Sequence, residues 1–220
     1  MTDLNGIVSL LIACLEILLV INILIFSKRT HEDAIVILII VLLLVYQLVE
    51  FAICNLNLTS SMMVYFAFAV ISLLPPMAFT LVSYFYFYGN ISRLIAFLPA
   101  IFFLVYYLLV ISQFEVAKCT MLYAAYNYPY GFWYGTFYYG EILFSIGLIV
   151  YNIKNSVNRY GKKRDKILLF GFLIFTVPMI IAYFLYPFIV EIIESVLCKF
   201  AFLFALSLTF FSLEGRKRNE

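Results

Sequence analysis

The stretch VLLLVYQLVEFAIC, Val41 to Cys54, is apolar except for Gln47 and Glu50, which stand one helical turn apart, and it closes on a cysteine. With the apolar residues before it, from about 34 onward, it is long enough to cross roughly 30 Å of hydrocarbon as a helix. The fold follows from whether this is the interior of a soluble protein or a membrane span, and the rest of the chain decides it. Of 220 residues, 66% are hydrophobic and 12% charged, with a mean hydropathy of +1.08. A soluble domain is about half apolar and a quarter charged, so the expectation is an all-α integral membrane protein.

Apolar runs of this length recur along the chain. They predict a seven-transmembrane-helix bundle forming one polytopic domain over 1–220, with spans at about 5–27, 34–54, 62–88, 93–112, 134–153, 167–186 and 192–213. The first run has acidic Asp3 before it rather than a basic segment, and no small-residue cleavage pattern after it, so it is read as a retained helix. Pro75-Pro76 and Pro178 fall halfway along the third and sixth spans and predict kinks there. No internal repeat is evident.

Orientation comes from the distribution of basic residues. Lys28, Arg29, Arg93, Lys154, Arg159, Lys162, Lys163, Arg164, Lys166, Arg216, Lys217 and Arg218 all fall on one side of these spans; Lys118 stands alone on the other and Lys199 is intramembrane. Positively charged short loops stay in the cytoplasm, which places the N-terminus outside and the C-terminus inside. A prokaryotic plasma membrane is the expected location. The basic segment 154–166 faces anionic lipid headgroups in the plainer reading and is a docking site for a cytoplasmic protein in the sharper one. The lipid bilayer is the expected partner, and no nucleic acid is.

The outer connection from Ser112 to Trp133 is rich in aromatics and poor in charge, with a Tyr-Pro-Tyr-Gly turn signal at 128–131. Tyr126, Tyr128, Tyr130 and Trp133 are interfacial anchors in one reading and a lid over the outer mouth in the other. Cys54 and Cys119 both lie on the oxidising side and are candidates for a disulfide. Cys14 and Cys198 lie at lipid depth.

Counted along helices rising about 1.5 Å per residue, Glu50, Glu141 and Lys199 fall in one layer roughly 6 to 10 Å below the outer surface. Glu16 is nearer the midplane, and Glu191 and Glu194 rim the outer end of the last span. A charge at such depth costs at least about 2.5 kcal/mol, so these groups face the bundle interior and find partners. Lys199 can pair with Glu50 or with Glu141, leaving a surplus of acids to be satisfied by Gln47 and tyrosines, by protonation, or by a cationic ligand. The lone histidine, His31, excludes histidine-ligated haem and His-rich zinc sites, and phosphate-binding glycine loops, nucleophile elbows and Cys-x-x-Cys motifs are absent. No metal or cofactor is expected.

Two family resemblances follow from particular residues. YQLVEF, Tyr46 to Phe51, together with Cys198 near the middle of the last helix, resembles an uncharacterised family of small standalone bacterial seven-helix membrane proteins with a Gln-x-x-Glu signature in helix 2. That resemblance implies Gln47, Glu50 and Cys198 as the positions of interest and brings no activity with it. LLPPMAFTLVSYFYFYG, Leu73 to Gly89, with the entry KKRDKILLFGFLIFTVP into the sixth span, is more weakly similar to the seven-helix N-terminal sensor region of some bacterial histidine kinases. No kinase or other output segment follows the last span in this sequence.

The functional expectation is a standalone receptor-like or sensory protein binding a small or amphipathic ligand in an outer-leaflet pocket formed by Glu50, Gln47, Glu141, Lys199, Glu16, Glu194 and Cys198. A proton-coupled transporter using the same carboxylates is the alternative, and an intramembrane enzyme, without a recognisable catalytic constellation, ranks third.

Overall fold

Entry into the helix that carries Gln47 and Glu50 is set by Thr30. In the computed structural model of the chain, its hydroxyl accepts from the Asp33 N–H (3.3 Å) while an Asp33 carboxylate oxygen accepts from the Thr30 N–H (2.9 Å). This reciprocal capping box satisfies two backbone donors that a helix start otherwise leaves orphaned. The structure describes residues 6–28, 30–86, 90–121, 124–155, 159–185 and 190–216, with side chains throughout except at 85, 86, 90, 159, 160, 179, 182–185, 190–198, 215 and 216.

The elements in order are α1 (Ile7–Phe26), α2 (His31–Asn55), α3 (Ser61–Ser72), α4 (Leu74–Tyr86), α5 (Asn90–Leu109), a 3₁₀ turn (Ile111–Gln113), β1 (Glu115–Cys119), β2 (Ala124–Asn127), α6 (Gly131–Asn155), α7 (Arg159–Leu185) and α8 (Val190–Arg216). Among the described residues, five helical stretches are long and apolar enough to cross a membrane: Ile7–Phe26, His31–Asn55, Ser61–Tyr84, Ile91–Leu109 and Gly131–Asn155. α7 and α8 are each 27 residues long.

α3 and α4 divide what the sequence reads as one span. Pro75 and Pro76 have no N–H to offer the carbonyls of Ile71 and Ser72, so the α-helical ladder stops at Ser72 and restarts at Leu74. Beside the break, the Ser72 hydroxyl donates to the Phe68 carbonyl (2.7 Å) and is bonded to the Tyr134 hydroxyl (3.0 Å). α7, in contrast, continues as a helix through Pro178.

α2 and α8 lie at the centre of the bundle. α2 packs on α1, α3, α4 and α8, and α8 on α1, α2, α7 and strand β2; α6 closes the far side against α4, α5 and α7. The buried core runs between them through Ile40 and Leu43 of α2, Phe68 of α3, Val82 of α4, Phe172 of α7 and Leu208 of α8. Large apolar side chains also cover the outer surface, among them Leu11 and Ile25 of α1 and Ile91, Leu94 and Phe102 of α5. An apolar exterior of this extent has no favourable solvent in water.

Gly171 sets the α7–α8 distance: a Cβ there would stand 2.6 Å from Ser207 Oγ and 2.7 Å from Ser207 Cβ. The close approach lets the Ser207 hydroxyl donate across to the Ile167 carbonyl (2.6 Å), a small-residue contact of the kind that lets helix backbones meet. Gly171→Val is expected to lower stability by about 1–3 kcal/mol through overpacking, read as a drop in Tm, with partial recovery when Ser207→Gly is added.

The connection expected to be an irregular aromatic loop instead holds an antiparallel hairpin. Glu115 pairs with Asn127 and Cys119 with Ala124, with a register irregularity between Val116 and Lys118. Cys119 is disulfide-bonded to Cys54 at the end of α2 (Sγ–Sγ 2.04 Å). The Gly6 N–H donates to the Thr120 carbonyl (3.1 Å), so the start of α1 is held at the same end. Gly6 has φ 72, and a Cβ there would lie 3.2 Å from Cys54 Cβ, so glycine fits both the left-handed backbone and the close approach.

The basic segment 154–166 is largely helical rather than a loop: α6 runs to Asn155 and α7 begins at Arg159. Within it Lys163, Arg164 and Asp165 make contacts between helices, as described next.

Candidate functional site

Gln47 and Glu50 share one face of α2 because residues three apart on a helix are neighbours, and that face meets α1 and α8. Lys199, on α8, extends its ammonium into the junction. Its Nζ donates to Ser9 Oγ of α1 (2.7 Å), Gln47 Oε1 (2.9 Å) and Glu50 Oε2 (3.0 Å). An ammonium has three N–H donors and no acceptor, so the tripod uses all of them. Ser9, Gln47 and Glu50 are wholly buried, and the Lys199 side chain is 14% exposed.

A buried ion pair holds only where further hydrogen bonds complete both partners. Here Gln47 and Ser9 supply the two that Glu50 alone cannot. Ser9 is the member that sequence reading misses, because a serine near the start of an apolar helix carries no signal of its own. Only the crossing of α1 against α8 makes it an acceptor.

Glu16 lies on α1, seven residues from Ser9 and so about 10 Å farther from the hairpin. It is wholly buried, and both of its carboxyl oxygens lack a hydrogen-bond partner. Among the described residues, the α1–α2–α8 junction therefore brings Glu50 to Lys199, with Glu16 two turns farther along α1 from Ser9.

Glu141 does not join this cluster. It is half-buried on α6 and, with Ser72, Pro75, Pro99 and Tyr134 among its neighbours, lines a separate cavity of about 20 Å³, room for about one water. Of the three expected to converge, Glu50 and Lys199 meet, while Glu141 lines that other cavity on α6, with α4 packed against both α2 and α6. A second cavity of about 20 Å³, lined by Leu43, Pro75, Tyr138, Phe172 and Phe204 among others, is apolar. Glu194 and Cys198 lie on α8, and their side chains fall outside the described residues.

The four aromatics read as a lid separate into two pairs. Tyr126 is buried and Tyr128 half-buried; with Tyr107, Phe114 and Tyr134 their rings surround Phe68 at centroid distances of 4.3 to 6.1 Å. Tyr130 and Trp133 are 64% and 57% exposed. The first pair is therefore part of the core, and the second lies on the surface.

A second polar network ties the opposite end together. The Ser212 hydroxyl of α8 donates to Asp33 of α2, Arg164 of α7 donates to Glu32 (2.8 Å) with its guanidinium 4.4 Å from the Phe211 ring centre, and Lys163 pairs with Glu214 (2.7 Å). Asn152 of α6 donates to Asp165 (2.8 Å). Among the described residues, no three His, Cys, Asp or Glu side chains are grouped to hold a metal ion.

Comparison of the chain with protein-family models, with curated proteins and with solved structures finds no match.

Proposed function

We propose that the chain is a seven-helix sensory membrane protein whose receiving site is the Lys199 cluster. The spans would be α1, α2, α3 with α4, α5, α6, α7 and α8, with the N-terminus outside a prokaryotic plasma membrane and the C-terminus in the cytoplasm. The one-sided basic residues support that orientation. So does the disulfide at the opposite, hairpin end, the oxidising side in this orientation.

The carrying observation is that the same two helices bear polar clusters at both ends. α2 places Gln47 and Glu50 near the hairpin and Glu32 and Asp33 at the far end; α8 places Lys199 and Ser212 correspondingly. A change at Lys199 would thus reach the far-end contacts through two packed rigid elements, with α7 as the third member there. The described cavities each hold about one water, whereas small-molecule pockets are about 300–1,000 Å³. A small or amphipathic ligand would therefore act by parting helices at the junction rather than by filling a preformed hole.

Spin labels at Lys28 and Lys166, both exposed at the far end, test the coupling. Lys199→Gln is expected to shift their distance distribution in lipid nanodiscs; an unchanged distribution would count against the link. The surplus acid favours one other reading, a proton-coupled transporter. That reading requires a cysteine at Gln47, in a chain with Cys14→Ala and Cys198→Ala, to react with impermeant maleimide from both faces; the sensor predicts protection from the inner face.

A further inference from the structure

The Lys199 ammonium uses its three donors on the hairpin side, while Glu16 waits on the other side with two buried oxygens and no hydrogen-bond partner. An ionised carboxylate buried without a partner is costly, and among the described residues Lys199 is one cation set against Glu50 and Glu16. Its charge is balanced when the acid not touching Lys199 carries a proton.

We propose that Glu50 and Glu16 are alternative stations for the Lys199 ammonium and that Glu16 is a proton-binding site, occupied when Lys199 is on Glu50 and emptied when Lys199 turns to Glu16. The exchange is balanced. Lys199 keeps all three of its protons, the O–H bond on Glu16 breaks, an O–H bond forms on Glu50, and the charge of the cluster is unchanged. A lysine suits this task because its ammonium is a compact charge on a flexible four-carbon stem. Gln47 and Ser9 give the ammonium neutral partners it can release.

The elements packed against α1 are α2 and α8. α2 brings Glu50 and the buried Tyr46 toward the junction, with Glu32 and Asp33 engaged at its other end. α8 brings Lys199; it also carries Glu191, Glu194 and Cys198, whose side chains lie outside the described residues. On α1 itself Cys14 is exposed. The inference rests on the sensory reading for what the exchange accomplishes, and not for whether it occurs.

Infrared difference spectroscopy on the full chain in lipid nanodiscs tests it. A protonated-carboxyl C=O band is expected in the parent and is lost in Glu16→Gln, an isosteric change at an unpartnered side chain. In the Glu50→Gln background Glu16 is, among the described residues, the carboxylate left for Lys199. The spectrum of Glu50→Gln minus that of the double variant with Glu16→Gln should then lack the protonated band. In Lys199→Gln both acids lose the cation, and two such bands are expected, removed one by one by Glu16→Gln and Glu50→Gln. A Glu16 band that persists in Glu50→Gln, or no Glu16-dependent band in the parent, overturns the proposal. Circular dichroism and Tm on each variant verify the fold. Unchanged label distances in Lys199→Gln would instead defeat the sensory reading and leave the proton site standing.

Discussion

Lys199→Met is expected to destabilise the chain by about 3–5 kcal/mol, the usual cost of removing one partner of a buried pair and leaving the other charge uncompensated. Glu50 is wholly buried and Lys199 is its ion-pair partner at 3.0 Å. The same substitution orphans the Ser9 hydroxyl and removes a donor from Gln47. Thermal unfolding in detergent should show the loss directly. The double variant Lys199→Met with Glu50→Gln should recover much of it, since replacing both members of a buried pair is often close to neutral. A single variant as stable as the parent would show that Glu50 is satisfied without the lysine, and the cluster would lose its claim to be a strung ion-pair site.

Breaking the disulfide should have the next largest effect. Cys119→Ala is expected to cost about 2–4 kcal/mol, since the bond between Cys54 and Cys119 closes a loop across 65 positions. A two-stranded hairpin is marginal by itself, and β1–β2 survives by its anchor to α2, its hydrogen bond to Gly6 and the burial of Ala124, Ala125 and Tyr126. Limited proteolysis should therefore cut between 115 and 127 sooner in Cys119→Ala than in the parent, alongside a lower Tm. Cys54→Ala should match it. Equal proteolysis rates would mean that packing on α3 and α8 holds the hairpin without the covalent link.

Several elements are legible in the residues because their signals are local. Apolar runs mark helices and Pro75-Pro76 marks a break, since each works through its own backbone neighbours; the Thr30–Asp33 cap shows only in the structure. The hairpin is hidden for the converse reason. EVAKC and AAYN are too short to show an alternating pattern, and their pairing depends on the disulfide and on helices remote in sequence. The segment 154–166 reads as a basic inner connection facing lipid headgroups or a cytoplasmic partner, yet Lys163 and Arg164 stand on helix α7 with Glu214 and Glu32 as partners.

By itself the sequence determined an overwhelmingly apolar chain of long helices, the sidedness of its basic residues, and the presence of Gln47, Glu50, Glu16 and Lys199 at polar-poor depths. Those properties follow from composition and from a period of 3.6 residues. The tertiary structure alone decided which acid meets the lysine. Counting depth along each helix put Glu141 and Glu50 level, but depth says nothing of azimuth. The packing of α4 between α2 and α6 sets Glu141 apart, and the crossing of α1 and α8 over α2 brings Ser9 to Lys199 and leaves Glu16 without a hydrogen-bond partner.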